Sequence, residues 1–191
     1  LVVFVEKPIA TALTPSLQQY LADLRAEGRR ARVEVFEGGT VEDLKDLIYD
    51  QVDRYRVEGA FLVGNLPTAW YEQTAFSTAE QFPLDLYLED RHALWGDADG
   101  DGLFDSHDAL SLGLFTSRLV GATADLSDYF ARLHRFRTNG PLVTPSAFNF
   151  MDDDWQPFSG TFGLEGLYPN VTVLSDLAQT TRANYVGRLT G

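Results

Sequence analysis

Apolar residues in the first sixty positions switch between two spacings. Leu1-Val-Val-Phe-Val5 is a continuous apolar run, the pattern of a strand buried on both faces. Pro8 ends it. Thr14-Pro15 reads as an N-cap and first helical residue, and Leu17, Tyr20, Leu21 and Leu24 then recur at helical spacing up to Gly28. Arg32-Val-Glu-Val-Phe36 alternates as a second strand. Gly38-Gly39 turns into a second helix with Thr40 as N-cap, Asp43 at N3 and an apolar face of Val41, Leu44, Ile48, Val52 and Tyr55. Gly59-Ala-Phe-Leu-Val63 is a third buried strand. This β-α-β-α-β order predicts an α/β fold with a mostly parallel sheet flanked by helices. Sites on such sheets lie beyond the carboxyl ends of the strands, here near residues 6–14, 37–40 and 64–70.

The pattern then becomes less regular. Residues 70–81 are mixed and read as loop, whereas Phe82-Pro-Leu-Asp-Leu-Tyr-Leu88 alternates as a strand. Leu112 to Leu119 reads as a further strand. A helix is predicted from about Asp125 to Thr138, with Leu126, Tyr129, Phe130, Leu133 and Phe136 facing inward. Ser146–Phe150 and Asn170–Leu174 read as strands, with a short helix at Asp176–Arg182. The expected organisation is a first α/β subdomain over residues 1–140 and the start of a second over residues 141–191.

One polar interruption carries chemistry. Asp97-Ala-Asp99-Gly-Asp101-Gly102-Leu103-Phe-Asp105-Ser-His-Asp108 places carboxylates at positions 1, 3, 5, 9 and 12 of a twelve-residue loop. Gly102 falls at position 6, where a calcium loop of the EF-hand type turns sharply, and Leu103 at position 7 offers a carbonyl oxygen. Five carboxylates this close repel one another unless a cation or water lies between them. Calcium, a hard cation taking six to eight oxygens, fits that need. The predicted ligands are Asp97, Asp99, Asp101, Leu103, Asp105 and Asp108. Asp108 stands where the usual loop has the longer Glu, which shortens its reach. The competing reading is a solvated turn rich in Asp and Gly. The loop lies between strand-like segments without the flanking helices of an EF-hand, so its expected task is to stabilise rather than to signal.

Composition narrows the setting. The chain of 191 residues is 45% hydrophobic and 13% aromatic, enough for a folded core. Its net charge of −13, from 28 acidic against 15 basic residues, opposes nonspecific binding to nucleic acid or anionic membranes. No apolar run reaches the roughly 18–20 residues of a membrane span. There is no cysteine, hence no disulfide and no thiol nucleophile within these residues. The chain begins without Met directly in a strand-like run, which is expected of a processed or trimmed piece of a longer protein.

Several further groups have two readings each. Glu89-Asp90 either add ligands to the acidic loop or a second cation site beside it, or are exposed charges at a strand end. Asp152-Asp153-Asp154 either bind a second cation or line a cleft for basic side chains, or form a helix cap or solvated turn. Asp85, within an apolar alternation, calls for a partner if buried, and Arg118 is the candidate. Trp95 abuts the acidic loop and is expected to pack beneath it. His92, His107 and His134 have no neighbouring nucleophile with an acid partner.

Taken in order, Gly64-Asn65-Leu66-Pro67, Phe82-Pro-Leu-Asp85-Leu-Tyr87, the Asp-rich loop, Ser117-Arg118-Leu119 and Phe148-Asn149-Phe-Met-Asp152-Asp153-Asp154-Trp155 resemble the gingipain-type cysteine peptidases. The resemblance runs from about Val57 to Trp155. It implies a caspase-like α/β fold in two parts and a catalytic Cys/His dyad in the second. No catalytic residue is transferred to this chain, because no position matches one. The implied function is the amino-terminal, calcium-binding portion of a secreted, extracellular or cell-surface endopeptidase. Its partners would be a protein or peptide substrate and a carboxy-terminal chain or segment bearing the catalytic His and Cys. The alternative is a non-catalytic calcium-binding interaction or adhesion module of the same fold. A weaker third reading is a hydrolase or transferase using carboxylates such as Asp85 and Asp152.

Overall fold

A computed structural model describes residues 1–75, 77–140, 146–151, 155 and 164–190. The chain divides into two compact units, Leu1–Thr138 and Asn139–Gly191. In the first, strands β1 (Val2–Glu6), β2 (Arg32–Phe36) and β3 (Gly59–Val63) alternate with helices α1 (Lys7–Ala26) and α2 (Val41–Tyr55). A hairpin of β4 (Trp70–Ala75) and β5 (Thr78–Pro83) follows, then a short helix α3 (Leu86–Glu89). The two-residue strands β6 (Trp95–Gly96) and β7 (Ser106–His107) bracket the acidic loop, and β8 (Phe115–Leu119) leads into α4 (Thr123–Asn139).

The central sheet has the order β2-β1-β3-β8, and all three pairings are parallel. Alternation along the strands divides the core in two. Val2 and Phe4 with Ala60 and Leu62 meet Leu44, Ile48 and Tyr49 of α2 on one face. Val3 and Val5 with Phe61 and Val63 meet Leu13, Leu17, Tyr20 and Leu24 of α1 and Leu126 and Phe130 of α4 on the other. β1 and β3 are therefore buried on both sides, which accounts for their unbroken apolar sequences. The α/β architecture and the capping box of α2 follow the sequence pattern: Asp43 N donates to Thr40 Oγ1 at 3.3 Å, and Thr40 N to Asp43 Oδ2 at 2.8 Å.

Three elements and one side chain of this unit depart from the sequence reading. Helix α1 begins at Lys7, with Pro8 in its first turn and Pro15 inside it. A proline there removes one helical hydrogen bond and costs about 3 kcal/mol. Leu13, completely buried one turn before Leu17, extends the apolar stripe and offsets that cost. Residues 7–14 are thus helix, and Glu6 with the first helical residues Lys7 and Pro8 remains at the strand end. Residues 70–83, read as loop and strand start, form the antiparallel hairpin. Residues 86–89, read as strand, are helical, because a helix turn buries the adjacent Tyr87 and Leu88 together in the α2-side core. Phe136, read as inward, is 56% exposed.

In the second unit, β9 (Ser146–Phe150) and β10 (Asn170–Leu174) pair in parallel. Helix α5 (Arg182–Thr190) lies beyond the predicted 176–182 segment, which instead turns around Asp176, whose Oδ1 accepts from Ala178 N at 2.8 Å. Tyr185 of α5 packs against Phe150 with ring centroids 5.2 Å apart.

Candidate metal centre

The acidic loop rides on an excursion between α3 and β8, and two carboxylates pin the base of that excursion. Glu89 Oε1 accepts from Thr116 N at 2.9 Å and Thr116 Oγ1 at 2.6 Å, while Glu89 O accepts from Gly113 N at 2.9 Å. Asp90 is 1% exposed. Its Oδ1 accepts from His92 N at 2.7 Å and Ala93 N at 2.8 Å, and its Oδ2 accepts from Ser111 N. These amides, led by that of Ser111, hold the Asp90 carboxyl below the usual carboxylate range. Glu89 and Asp90 thus act as ties within the fold rather than as exposed charges at a strand end.

Above this base, the short β6–β7 pair closes the loop. An aromatic floor supports it: Tyr87 stacks on Phe104 at 5.0 Å, and Trp95 meets Phe104 at 5.4 Å and His107 at 4.9 Å. Trp95 lies under the loop as its sequence position indicated. Tyr71 Oη donates to Asp105 O at 2.9 Å, joining the hairpin to the loop.

Five of the six predicted ligand positions carry carboxylates, and each of these accepts a nearby backbone amide; Asp99 Oδ1 does so from Asp101 N at 3.3 Å. Asp97 Oδ1 accepts from Gly100 N at 2.7 Å and Asp101 N at 3.2 Å, and Oδ2 accepts from Gly102 N at 2.9 Å. The Gly102 amide first, then those of Gly100 and Asp101, lowers the Asp97 carboxyl below its ordinary range. Gly100 and Gly102 make this wrap possible with φ of 78° and 93°. Asp105 Oδ2 accepts from Ala98 N at 2.8 Å, and Asp108 Oδ1 from Leu94 N at 3.0 Å. Leu103 N donates to Asp101 Oδ1 at 2.9 Å.

Asp99 and Asp101 also meet a carboxylate from outside the loop. Glu72 N donates to Phe104 O at 2.8 Å and Phe104 N to Trp70 O at 2.9 Å, so β4 runs alongside the loop. Carboxylate oxygens of Glu72, Asp99 and Asp101 lie within 4.8 Å of one another. Oxygens on opposite sides of a calcium ion with bonds of roughly 2.4 Å stand about that far apart. The donor set is all oxygen and triply anionic, the chemistry of a hard divalent cation. The sequence reading missed Glu72 because residues 70–81 read as loop. The aromatic stretch Trp70-Tyr71 and the later Phe82, separated by polar residues and Ser77, are the hairpin signal that marks it.

A second convergence lies near the carboxyl ends of the strands. Arg118 Nη2 and Nε hold Asp85 Oδ1 and Oδ2 at 2.7 and 3.1 Å. The same guanidinium donates to Leu66 O at 2.9 Å and Pro67 O at 3.1 Å. The expected Asp85–Arg118 pair is present, although Asp85 immediately precedes α3 instead of sitting in a strand. Beside it, Glu6 Oε2 accepts from Asn65 N at 2.8 Å, and an open cleft of about 570 Å³ is lined by Glu6, Glu37, Gly39, Asn65, Leu66 and Trp70. Gly64 has φ of 100°, and a Cβ there would stand 2.7 Å from Glu6 Cβ, so glycine lets the β3 turn close on β1.

His134 binds Asp23 of α1 through Nδ1 at 2.9 Å, and His107 Nδ1 lies 2.7 Å from Asp108 O; neither belongs to the cluster of Glu72, Asp99 and Asp101. Asp152, Asp153 and Asp154 lie outside the described residues. No described helix is long and apolar enough to cross a membrane. Compared with known proteins, the chain matches no family model, and no curated protein or solved structure is significantly similar to it.

Proposed function

We propose that this chain is the calcium-binding, amino-terminal portion of a gingipain-like cysteine endopeptidase with a caspase-like fold, acting outside the cell or at its surface. The observation that carries the reading is the junction at Arg118. Three separate segments of the resemblance, Leu66-Pro67, Asp85 and Arg118, meet there in one hydrogen-bonded unit. Motifs that interlock in space are better support for a shared architecture than motifs that merely follow one another. The Cys/His dyad of such an enzyme would lie in a carboxy-terminal segment or chain, since these 191 residues contain no cysteine. The peptidase reading is tested on the full-length gene product. It requires one strand ending in His-Gly and another ending in Cys, and peptide hydrolysis that disappears when that Cys is replaced. A full-length product without them refutes it and favours the non-catalytic binding module.

The role assigned to this chain's own residues is to hold calcium with Glu72, Asp99 and Asp101 and so lock the loop onto the β4–β5 hairpin. A cation bound only by the folded state stabilises it by mass action. At about one hundred times Kd the gain is about 2.7 kcal/mol, which raises Tm by about 5–10 °C for a domain of this size. Differential scanning calorimetry with calcium and with chelator is the measurement. Asp101→Ala and Glu72→Gln are expected to abolish or reduce the calcium-dependent shift. An unchanged Tm on chelation removes calcium from the proposal and leaves the peptidase reading to its own test.

A further inference from the structure

Strand β2 ends the central sheet, and no other described strand pairs with its outer side. Arg32 N donates to Leu1 O at 3.2 Å, so Arg32, Glu34 and Phe36 turn their backbone groups toward β1. By alternation, the N–H and C=O groups of Val33 and Val35 point away from the sheet. Such an edge is a template for pairing with a further strand.

Side chains alternate in the same way. Val33 and Val35 lie on the α1 face, where Val35 is 42% exposed. With Leu17 and Leu21 of α1 they line an open apolar groove of about 320 Å³. Arg32 and Glu34 lie on the α2 face, where they pair within the chain and Arg32 stacks 3.9 Å over the Tyr55 ring. Arg32 Nε is buried and has no hydrogen-bond partner among the described residues.

We propose that β2 is the contact of a two-fold dimer, pairing antiparallel with β2 of a second copy of this chain about Val33. In that register the two copies of Val33 face each other with outward backbone groups, as a hydrogen-bonded pair requires. Arg32 of each copy then stands opposite Glu34 of the other. These are the non-hydrogen-bonded positions, where side chains approach most closely. The charge order of β2 is thus its own antiparallel complement. Moving the centre by one residue to Glu34 sets carboxylate against carboxylate. A second copy supplies the reversed order by symmetry, which is why the charges point to it.

Sedimentation velocity on the 191-residue chain tests this at about 150 mM salt, where the Debye length of about 8 Å screens the repulsion between two net negative copies. A monomer–dimer equilibrium with Kd in the micromolar range is expected. Glu34→Arg should weaken it by about tenfold or more, and Arg32→Glu with Glu34→Arg should restore it. Circular dichroism checks that the variants fold. Hydrogen exchange on the unmodified chain gives a second readout: the Val33 and Val35 amides should gain protection as concentration rises. A chain that stays monomeric to about 100 µM, a dimer indifferent to Glu34→Arg, or Val33 and Val35 amides unaffected by concentration each overturns the proposal.

Discussion

Arg118→Ala is expected to destabilise the first unit by about 3 kcal/mol, at the lower end of the cost of breaking a buried ion pair. The side chains of Arg118 and Asp85 are only 17% and 27% exposed. Truncation strands the Asp85 carboxylate and two backbone carbonyls, those of Leu66 and Pro67, in one step. Each lost partner leaves a desolvated acceptor, which costs more than the net value of the bond it made. Arg118→Lys should recover only part of the loss, because an ammonium lacks the planar fork that reaches Asp85 and both carbonyls at once. Urea unfolding is the measurement, and Arg118→Ala with Asp85→Ala should show strong non-additivity, since the second change removes the stranded charge. A loss below about 1 kcal/mol would mean that the junction is solvated and does not hold the β3 turn.

Asp90→Ala should be about as costly, about 3–4 kcal/mol, for a different reason. The carboxylate is almost wholly buried and accepts from three backbone amides across twenty residues of chain. Alanine leaves those donors without partners in a site with little water, at about 1–3 kcal/mol each before relaxation. Asp90→Asn keeps one acceptor oxygen and should cost less. Hydrogen exchange should show early loss of protection at His92, Ala93 and Ser111, with the acidic loop loosening while the central sheet stays protected. Uniform loss across the sheet would contradict a local tie.

The same groups set the pH dependence. Asp90 and Asp97 titrate lower in the folded chain than in the unfolded one. Their contribution is therefore complete above the unfolded value of about 4 and is lost as pH falls through the folded values. Stability should drop below about pH 4, and less steeply in Asp90→Asn. At the alkaline end, burial pushes Tyr49 and Tyr87 up to about 12. Their contribution is complete below the unfolded value of about 10 and is lost as pH rises from there towards 12. Equilibrium unfolding at a series of pH values checks both limbs.

The sequence by itself determined the elements whose burial is one-sided or complete. β1 and β3 are apolar throughout because both faces are covered, and α2 announces its start through Thr40 and Asp43, so the β-α-β-α-β order needed nothing beyond periodicity and capping. The Asp85–Arg118 pair was legible too, because a carboxylate among apolar neighbours demands a counter-charge. Tertiary structure alone decided the rest. Pro15 lies within a helix because burying Leu13 outweighs a lost hydrogen bond, a balance that no local preference reveals. All five loop carboxylates accept backbone amides, so hydrogen bonding does not sort them; only Asp99 and Asp101 also cluster with a carboxylate from elsewhere in the chain. The third carboxylate beside Asp99 and Asp101 arrives on β4, from a residue 27 positions before Asp99. Sequence spacing describes which oxygens a loop carries. Which of them gather with a carboxylate from another segment depends on the chain folded against that loop, and that is a property of three dimensions.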